Sequence, residues 1–189
     1  MASPVIEAIM MSSRDALLDA LHRGGNANET EDGNSALVWA CLQDREDLAS
    51  DLLRNGADVN AAGSDGTTPL FIAVMIESIG LTTLLLKAGA STEPKNEIGQ
   101  TPLMVAAKTG CEDILSALID AGASATALDA AERNAMHWAI TDGDFPEVVE
   151  RLLAAGTNPR QRSKEGLTPL DYAKDLGRVR ALSMLAKVY

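Results

Sequence analysis

The sequence is poor in the residue types on which catalytic and metal sites depend. Only 3% of its 189 residues are aromatic, and it has two histidines and two cysteines. With so few aromatics, several thin layers are favoured over one large globular core. His22 and His137 have no converging base or orienting group, no Cys/His set has zinc spacing, and no glycine cluster could cradle a phosphate. We therefore expect no catalytic residues, no metal and no cofactor, and predict that the protein is not an enzyme.

Long apolar runs and targeting features are also missing. No uninterrupted apolar stretch approaches the roughly 20 residues that cross a bilayer, so we predict no membrane insertion. The first residues contain acidic Glu7 and no basic front end, so we expect no secretory signal. Cys41 and Cys111 are far apart and lack metal-ligand spacing, which favours reduced thiols and a cytoplasmic location, with the nucleus as the other possibility.

Basic residues are scarce in the first two thirds of the chain. The net charge is −11, and residues 1–60 carry 4 Lys/Arg against 11 Asp/Glu, whereas residues 127–189 carry 9 of each. An acidic surface repels phosphate backbones, so nucleic acid is not expected as a partner. A basic or amphipathic protein segment fits better, although solubility alone would also explain the charge.

What the sequence does contain is a short motif that returns at a fixed period. A Gly turn followed by Thr-Pro-Leu occurs as "GTTPL" from Gly66, "GQTPL" from Gly99 and "GLTPL" from Gly166. Weaker copies read "GNSAL" from Gly33 and "ERNAM" from Glu132. The equivalent positions Ser35, Thr68, Thr101 and Asn134 are each 33 residues apart, and Thr168 follows 34 later. A period of this size indicates stacked repeat units.

Each repeat has the pattern of two short helices. Thr68 is a good N-cap, and Pro69 suits the first helical position because its missing N–H costs nothing there. A second apolar stripe follows a short turn, and Gly89 is placed to end that helix. A small residue recurs five positions after each cap, at Ala40, Ala73, Ala106, Ala139 and Ala173. One such pair cannot bury its apolar face alone, so stacking into a solenoid is predicted.

The segments "DGTTPLFIAVMIESIGLTTLLLKAGAS" and "IGQTPLMVAAKTGCEDILSALIDAGAS" resemble ankyrin repeats. The resemblance implies an all-α ankyrin-repeat solenoid of stacked helix-turn-helix units with short β-hairpin-like loops. We predict a single domain over residues 1–189 with six units, approximately 1–28 (N-terminal cap), 29–61, 62–94, 95–127, 128–161 and 162–189 (C-terminal cap). The resemblance further implies that the protein is a protein–protein interaction module, an adaptor or scaffold, that holds a protein segment in its concave groove.

Departures from the family pattern carry further expectations. The histidine of the family pattern is replaced by Val38, Phe71, Met104 and Asp171, and among these repeats only His137 remains. We expect His137 to brace neighbouring loops through hydrogen bonds rather than to act as a catalytic or metal-binding group. Glu132 replaces a turn glycine, so that loop is expected to be distorted. Phe145 lies in a segment with one extra residue, where it either tucks between helices or forms an exposed anchor.

The resemblance also implies which residues bind the partner. The loop tips before the caps supply Glu31, Asp32, Asn34, Ser64, Asp65, Thr67, Glu97, Ile98, Gln100 and Arg133. The groove-facing helix ends, seven and eight residues after the caps, supply Met10, Met11, Leu42, Gln43, Met75, Ile76, Lys108, Thr109, Thr141 and Asp142.

The helix ends of the first three repeats are apolar, although they should face solvent. They would form an adaptable hydrophobic stripe for a basic amphipathic helix or an extended peptide, in contact from the first to the fourth repeat. Burial of these side chains against the next repeat is the alternative.

A monomer is expected. A regulatory or inhibitory subunit that masks an enzyme or receptor, self-association, and hydroxylation of Asn60 within "LLRNGADVN" are the other functions left open.

Overall fold

The computed structural model describes residues 3–188 of the chain. It divides into two compact units, Met1–Ser91 and Thr92–Tyr189. Met1, Ala2 and Tyr189, which belong to the first and last predicted repeats, lie outside the described residues. Within residues 3–188 no helix is long and apolar enough to span a bilayer. The assignment of the whole chain to a single domain stays a prediction.

The first unit consists of three helix pairs and one small hairpin. Its elements are α1 (Pro4–Met10), α2 (Arg14–His22), β1 (Thr30–Glu31), β2 (Asn34–Ser35), α3 (Ala36–Leu42), α4 (Glu46–Arg54), α5 (Pro69–Met75) and α6 (Ile79–Lys87). The strands β1 and β2 pair antiparallel, Thr30 with Ser35 and Glu31 with Asn34. Helices α1, α3 and α5 pack side by side, and α2, α4 and α6 form a second row behind them.

The second unit repeats this arrangement. Its helices are α7 (Pro102–Thr109), α8 (Glu112–Asp120), α9 (Ala135–Thr141), α10 (Pro146–Ala154), α11 (Pro169–Asp175) and α12 (Val179–Leu185). Helix α9 packs between α7 and α11, and α10 packs between α8 and α12. Among the described residues, each predicted repeat contains one helix pair.

The local sequence explains where these helices begin and how closely they pack. The Thr68 hydroxyl accepts from Phe71 N at 3.3 Å, and Pro69 follows at the first helical position, as predicted. The small residues five positions after the caps, including Ala40 and Ala73, are fully buried, so the neighbouring first helices can approach closely. Leu81 and Leu85 from α6 complete the core of the first unit.

The brace predicted for His137 is confirmed. This residue is fully buried, its Nδ1 lies 2.8 Å from Asn134 Oδ1, and its Nε2 lies 3.3 Å from the Leu167 carbonyl oxygen in the next loop. Burial lowers the pKa of His137 below its ordinary value, so the ring is neutral at pH 7. Asp171, at the equivalent position, accepts from Thr168 N at 3.0 Å and from the Thr168 hydroxyl at 2.7 Å.

Two further expectations are decided by the structure. The prediction that the loop at Glu132 is distorted is wrong. Glu132 adopts φ 60° and donates its N–H to Asp129 O at 3.1 Å, and Gly99 donates to Asn96 O in the same way. Of the two alternatives for Phe145, the packed one holds. Its ring fills the space beside Gly110, where an added Cβ would lie 2.6 Å from the nearest ring atom.

Candidate functional site

Exposed apolar side chains gather at the ends of α1, α3 and α5. The exposed fractions are 53% for Met10, 68% for Met11, 49% for Leu42, 57% for Met75 and 41% for Ile76. An α-helix turns about 100° per residue, so Met75 points almost opposite to buried Ala73. The alternative of burial against the next repeat is therefore wrong. These five residues are called the apolar surface below.

The three helix ends that carry the apolar surface are linked to one another. Gln43 is half-buried, and its Nε2 donates to Met10 Sδ at 4.0 Å, which links the ends of α1 and α3. The Ser12 hydroxyl donates to Gln43 Oε1 at 2.6 Å and fixes the amide in this position. A cavity of about 250 Å³ links α3 to α5. It is lined by Asn34, Val38, Leu42, Ser64, Asp65, Thr67, Ile72, Met75 and Ile76.

The predicted loop tips of the first unit form the polar side of this cavity. Ser64 N donates to Asn34 Oδ1 at 3.2 Å, so two successive loops are tied together. Asp65 Oδ1 accepts from Thr67 N at 2.8 Å. That backbone hydrogen bond, with a second one from the Thr67 side chain, lowers the pKa of Asp65, so its carboxylate is charged at neutral pH.

The hairpin places two more acidic residues beside the cavity loops. Asp32 has φ 52° and Gly33 has φ 78°, which are the conformations that a tight two-residue turn requires. Asp32 is exposed at the tip, whereas Glu31 is half-buried. The Glu31 carbonyl accepts from Trp39 Nε1 at 3.4 Å, which holds β1 against α3.

Sequence reasoning missed three residues at the far side of the apolar surface. Ser12, Asp44 and Glu77 have left-handed φ values of 50°, 52° and 59°. Each stands nine residues after its helix cap, where the repeats of the second unit have a glycine, for example Gly110 and Gly177 with φ 78° and 66°. Alignment of the repeats on their caps would have revealed this difference.

The ends of α7 and α9 in the second unit are polar and already engaged. Lys108 Nζ lies 3.3 Å from Asp142 Oδ2 and 5.8 Å from the centroid of the Trp138 ring. The Thr109 hydroxyl donates to Ala106 O at 3.4 Å, and the Thr141 hydroxyl donates to His137 O at 2.8 Å. These predicted site residues therefore present no apolar surface of the kind found in the first unit.

The loop tips of the second unit require one correction. Glu97 and Ile98 are exposed as expected, but Gln100 is only 6% exposed, so its placement at an accessible tip was wrong. Asn96 explains the burial, because its Nδ2 donates to Gln100 Oε1 and its Oδ1 accepts from Gln100 N, both at 2.8 Å.

Arg133, the remaining predicted loop-tip residue, is held by its own unit. Its Nε lies 2.9 Å from Asp129 Oδ2, and its guanidinium carbon lies 4.0 Å from the centroid of the Trp138 ring. Trp138 Nε1 donates to the same carboxylate oxygen at 3.1 Å. Within residues 3–188 no group of His, Cys, Asp and Glu side chains is arranged to hold a metal ion.

Comparison with known proteins adds to this geometry. A family model described as "Ankyrin repeats (3 copies)" matches residues 47–129, and one described as "Ankyrin repeat" matches residues 32–61. Together they span more than half of the chain. A curated relative, mitochondrial disaggregase from Rattus norvegicus, is 46% identical over 41 residues, which are 22% of this chain and 6% of that protein. The chain thus matches only a small part of that relative's length.

A solved structure resembles nearly the whole chain. The crystal structure of an ankyrin repeat domain from Acinetobacter baumannii AYE has a TM-score of 0.91 and 26% sequence identity. The match covers 97% of this chain and 96% of that one. The predicted fold class, an all-α solenoid of helix-turn-helix repeats, is confirmed.

Proposed function

Because this chain belongs to the ankyrin repeat family, we propose that it binds a segment of a partner protein through the apolar surface. Ankyrin repeats are generally protein–protein interaction modules and are typically non-catalytic. The observation that carries the proposal is the exposure of five large apolar side chains at neighbouring helix ends. Burial of apolar area is worth about 25 cal/mol per Å², so covering these side chains would favour association.

The chemistry around the apolar surface defines the segment that would fit. The cavity between Leu42, Met75 and Ile76 has room for an apolar side chain. Methionine side chains are flexible, so Met10 and Met11 can adjust their shape to the ligand. The charged Asp65 carboxylate at the cavity edge favours a Lys or Arg beside the apolar anchor. A basic amphipathic segment meets both requirements.

The second unit supports a smaller role in this contact. Its Lys108–Asp142 pair and Arg133–Asp129 pair are satisfied internally, so a ligand would have to displace existing contacts there. Contact that extends as far as the fourth repeat stays a prediction, and the residues we assign to the centre of the site are those of the apolar surface.

A peptide-display selection on the purified protein tests the proposal. Enriched peptides are synthesised and titrated by fluorescence anisotropy against the wild type and the double variant Leu42→Asp/Met75→Asp. Both residues are about half exposed, so the variant should keep its thermal unfolding profile while its affinity falls at least about tenfold, or about 1.4 kcal/mol.

A matched control separates a local effect from a general effect of added charge. The double variant Val179→Asp/Val188→Asp also replaces two exposed apolar residues, 71% and 41% exposed, and adds the same charge in the second unit, outside the apolar surface. It should bind like the wild type. Unchanged affinity in a folded Leu42→Asp/Met75→Asp variant would defeat the proposal, as would an equal loss in the control.

A further inference from the structure

The apolar surface lies between two sets of carboxylates. Asp32 and Asp65 stand at the loop tips that precede α3 and α5, and Asp44 and Glu77 come directly after the exposed ends of these helices. All four residues are exposed, and no ion pair among residues 3–188 involves any of them. By contrast, Arg14 and Arg54 both pair with Asp51. The free charge beside the apolar surface is therefore negative on both sides.

The distance between neighbouring helices indicates the conformation of the ligand. Helices α1, α3 and α5 pack side by side, and packed helices lie roughly 8–10 Å apart, so apolar side chains recur at about that spacing. A helical ligand rises about 1.5 Å per residue, so same-face residues seven apart are separated by about 10.5 Å. An extended ligand repeats its face every two residues, about 6.7 Å, which lies further from the helix spacing than the helical repeat does.

We propose that the bound segment is an amphipathic α-helix that lies across the ends of α1, α3 and α5. Its apolar residues recur every seven positions and contact the apolar surface, and Lys or Arg residues border this stripe on both sides. One border meets Asp32 and Asp65, and the other meets Asp44 and Glu77. This inference rests on the proposed function and adds the conformation and the charge pattern of the partner.

The backbone at Asp44 and Glu77 agrees with a binding role for these two side chains. A left-handed conformation costs an L-residue free energy that glycine does not pay, and Gly110 and Gly177 occupy the equivalent positions of their repeats. In the first unit carboxylate residues occupy these positions although glycine would suit the backbone better. Strained positions of this kind often serve ligand contacts.

Designed peptides test the inference directly. Two 22-residue peptides contain eleven leucines and eleven lysines each, one with the leucines gathered on a single helical face, where they recur at seven-residue intervals, and one with strict alternation. A third has the helical pattern with glutamate in place of lysine. Each is titrated by fluorescence anisotropy at low and high salt. The helical lysine peptide should bind the wild type at least about tenfold more tightly than the other two.

Protein variants test the second acidic border separately. The double variant Asp44→Gly/Glu77→Gly should bind the helical lysine peptide roughly three- to tenfold more weakly, with less salt dependence, while becoming more stable. Glu132→Gly relieves a left-handed conformation of φ 60° and removes an exposed carboxylate in the second unit, and it is the matched control. It should gain stability and keep wild-type affinity.

The possible outcomes distinguish this inference from the proposed function. Equal binding of the helical and alternating peptides, or unchanged affinity of Asp44→Gly/Glu77→Gly, overturns the inference. If display-selected peptides still lose affinity for Leu42→Asp/Met75→Asp in that case, the proposed function stands. If the helical lysine peptide does not bind while selected peptides do, the inference again fails alone.

Discussion

Replacement of Glu77 by glycine should stabilise the protein although it removes a whole side chain. Glu77 is exposed and has φ 59°, a conformation that costs an L-residue about 1–2 kcal/mol. Glycine removes that cost but loses about 0.5–1 kcal/mol through the greater entropy of the unfolded chain. Taken at the middle of each range, the net gain is about 0.75 kcal/mol. For a chain of this size it corresponds to a rise in Tm of about 1–4 °C.

Urea unfolding followed by circular dichroism measures this change, with the m-value expected to stay constant. Gly177→Ala is the reverse experiment, because Gly177 has φ 66° and an added Cβ would meet no atom within 4 Å. It should lose stability through the backbone alone. Gly110→Ala should lose more, since its Cβ would also clash with the Phe145 ring. A Glu77→Gly variant that is less stable than the wild type, or a neutral Gly177→Ala, would refute the reasoning.

Three further predictions concern buried groups. The Thr82 hydroxyl is buried and has no hydrogen-bond partner among residues 3–188. Thr82→Val should therefore raise the unfolding free energy by about 1 kcal/mol in urea titrations, and a destabilised variant would contradict this. Burial lowers the pKa of His137 below its unfolded value of about 6.5, so the folded state binds fewer protons and stability should fall as the pH drops below that value. In urea titrations between pH 7 and 5, the free energy of unfolding should fall less for His137→Gln than for the wild type. An equal fall in both proteins would assign the effect to other groups. Burial also raises the pKa of the Cys41 thiol to about 12. A Cys111→Ser variant should therefore react with a thiol reagent only in denaturant, as measured by intact mass. Labelling of the native variant would contradict this.

The fold could be predicted from the sequence because its signals are local and repeated. A cap such as Thr68, a proline at the next position and a small residue such as Ala73 depend only on neighbouring residues and recur with one period. The exposure of Leu42 and Met75 followed from their distance to the cap, since the helical turn places them opposite the buried face.

Other features depended on side-chain partners that the period does not reveal. Gln100 occupies a loop-tip position, but its hydrogen bonds with Asn96 bury it. Lys108 and Asp142 come from different repeats, and only their positions in space show that they pair. The left-handed backbone of Asp44 was missed because that conformation is ordinarily assigned to glycine, and only alignment with Gly110 and Gly177 on the caps signals it.

The most direct test of the central claim is methionine-methyl NMR of the protein during titration with a display-selected peptide. Met10, Met11 and Met75 belong to the apolar surface, whereas Met104 and Met136 are buried in the second unit. The account predicts that the signals of the first three shift with saturation while those of Met104 and Met136 stay in place. Saturable binding that leaves Met10, Met11 and Met75 unchanged would contradict it.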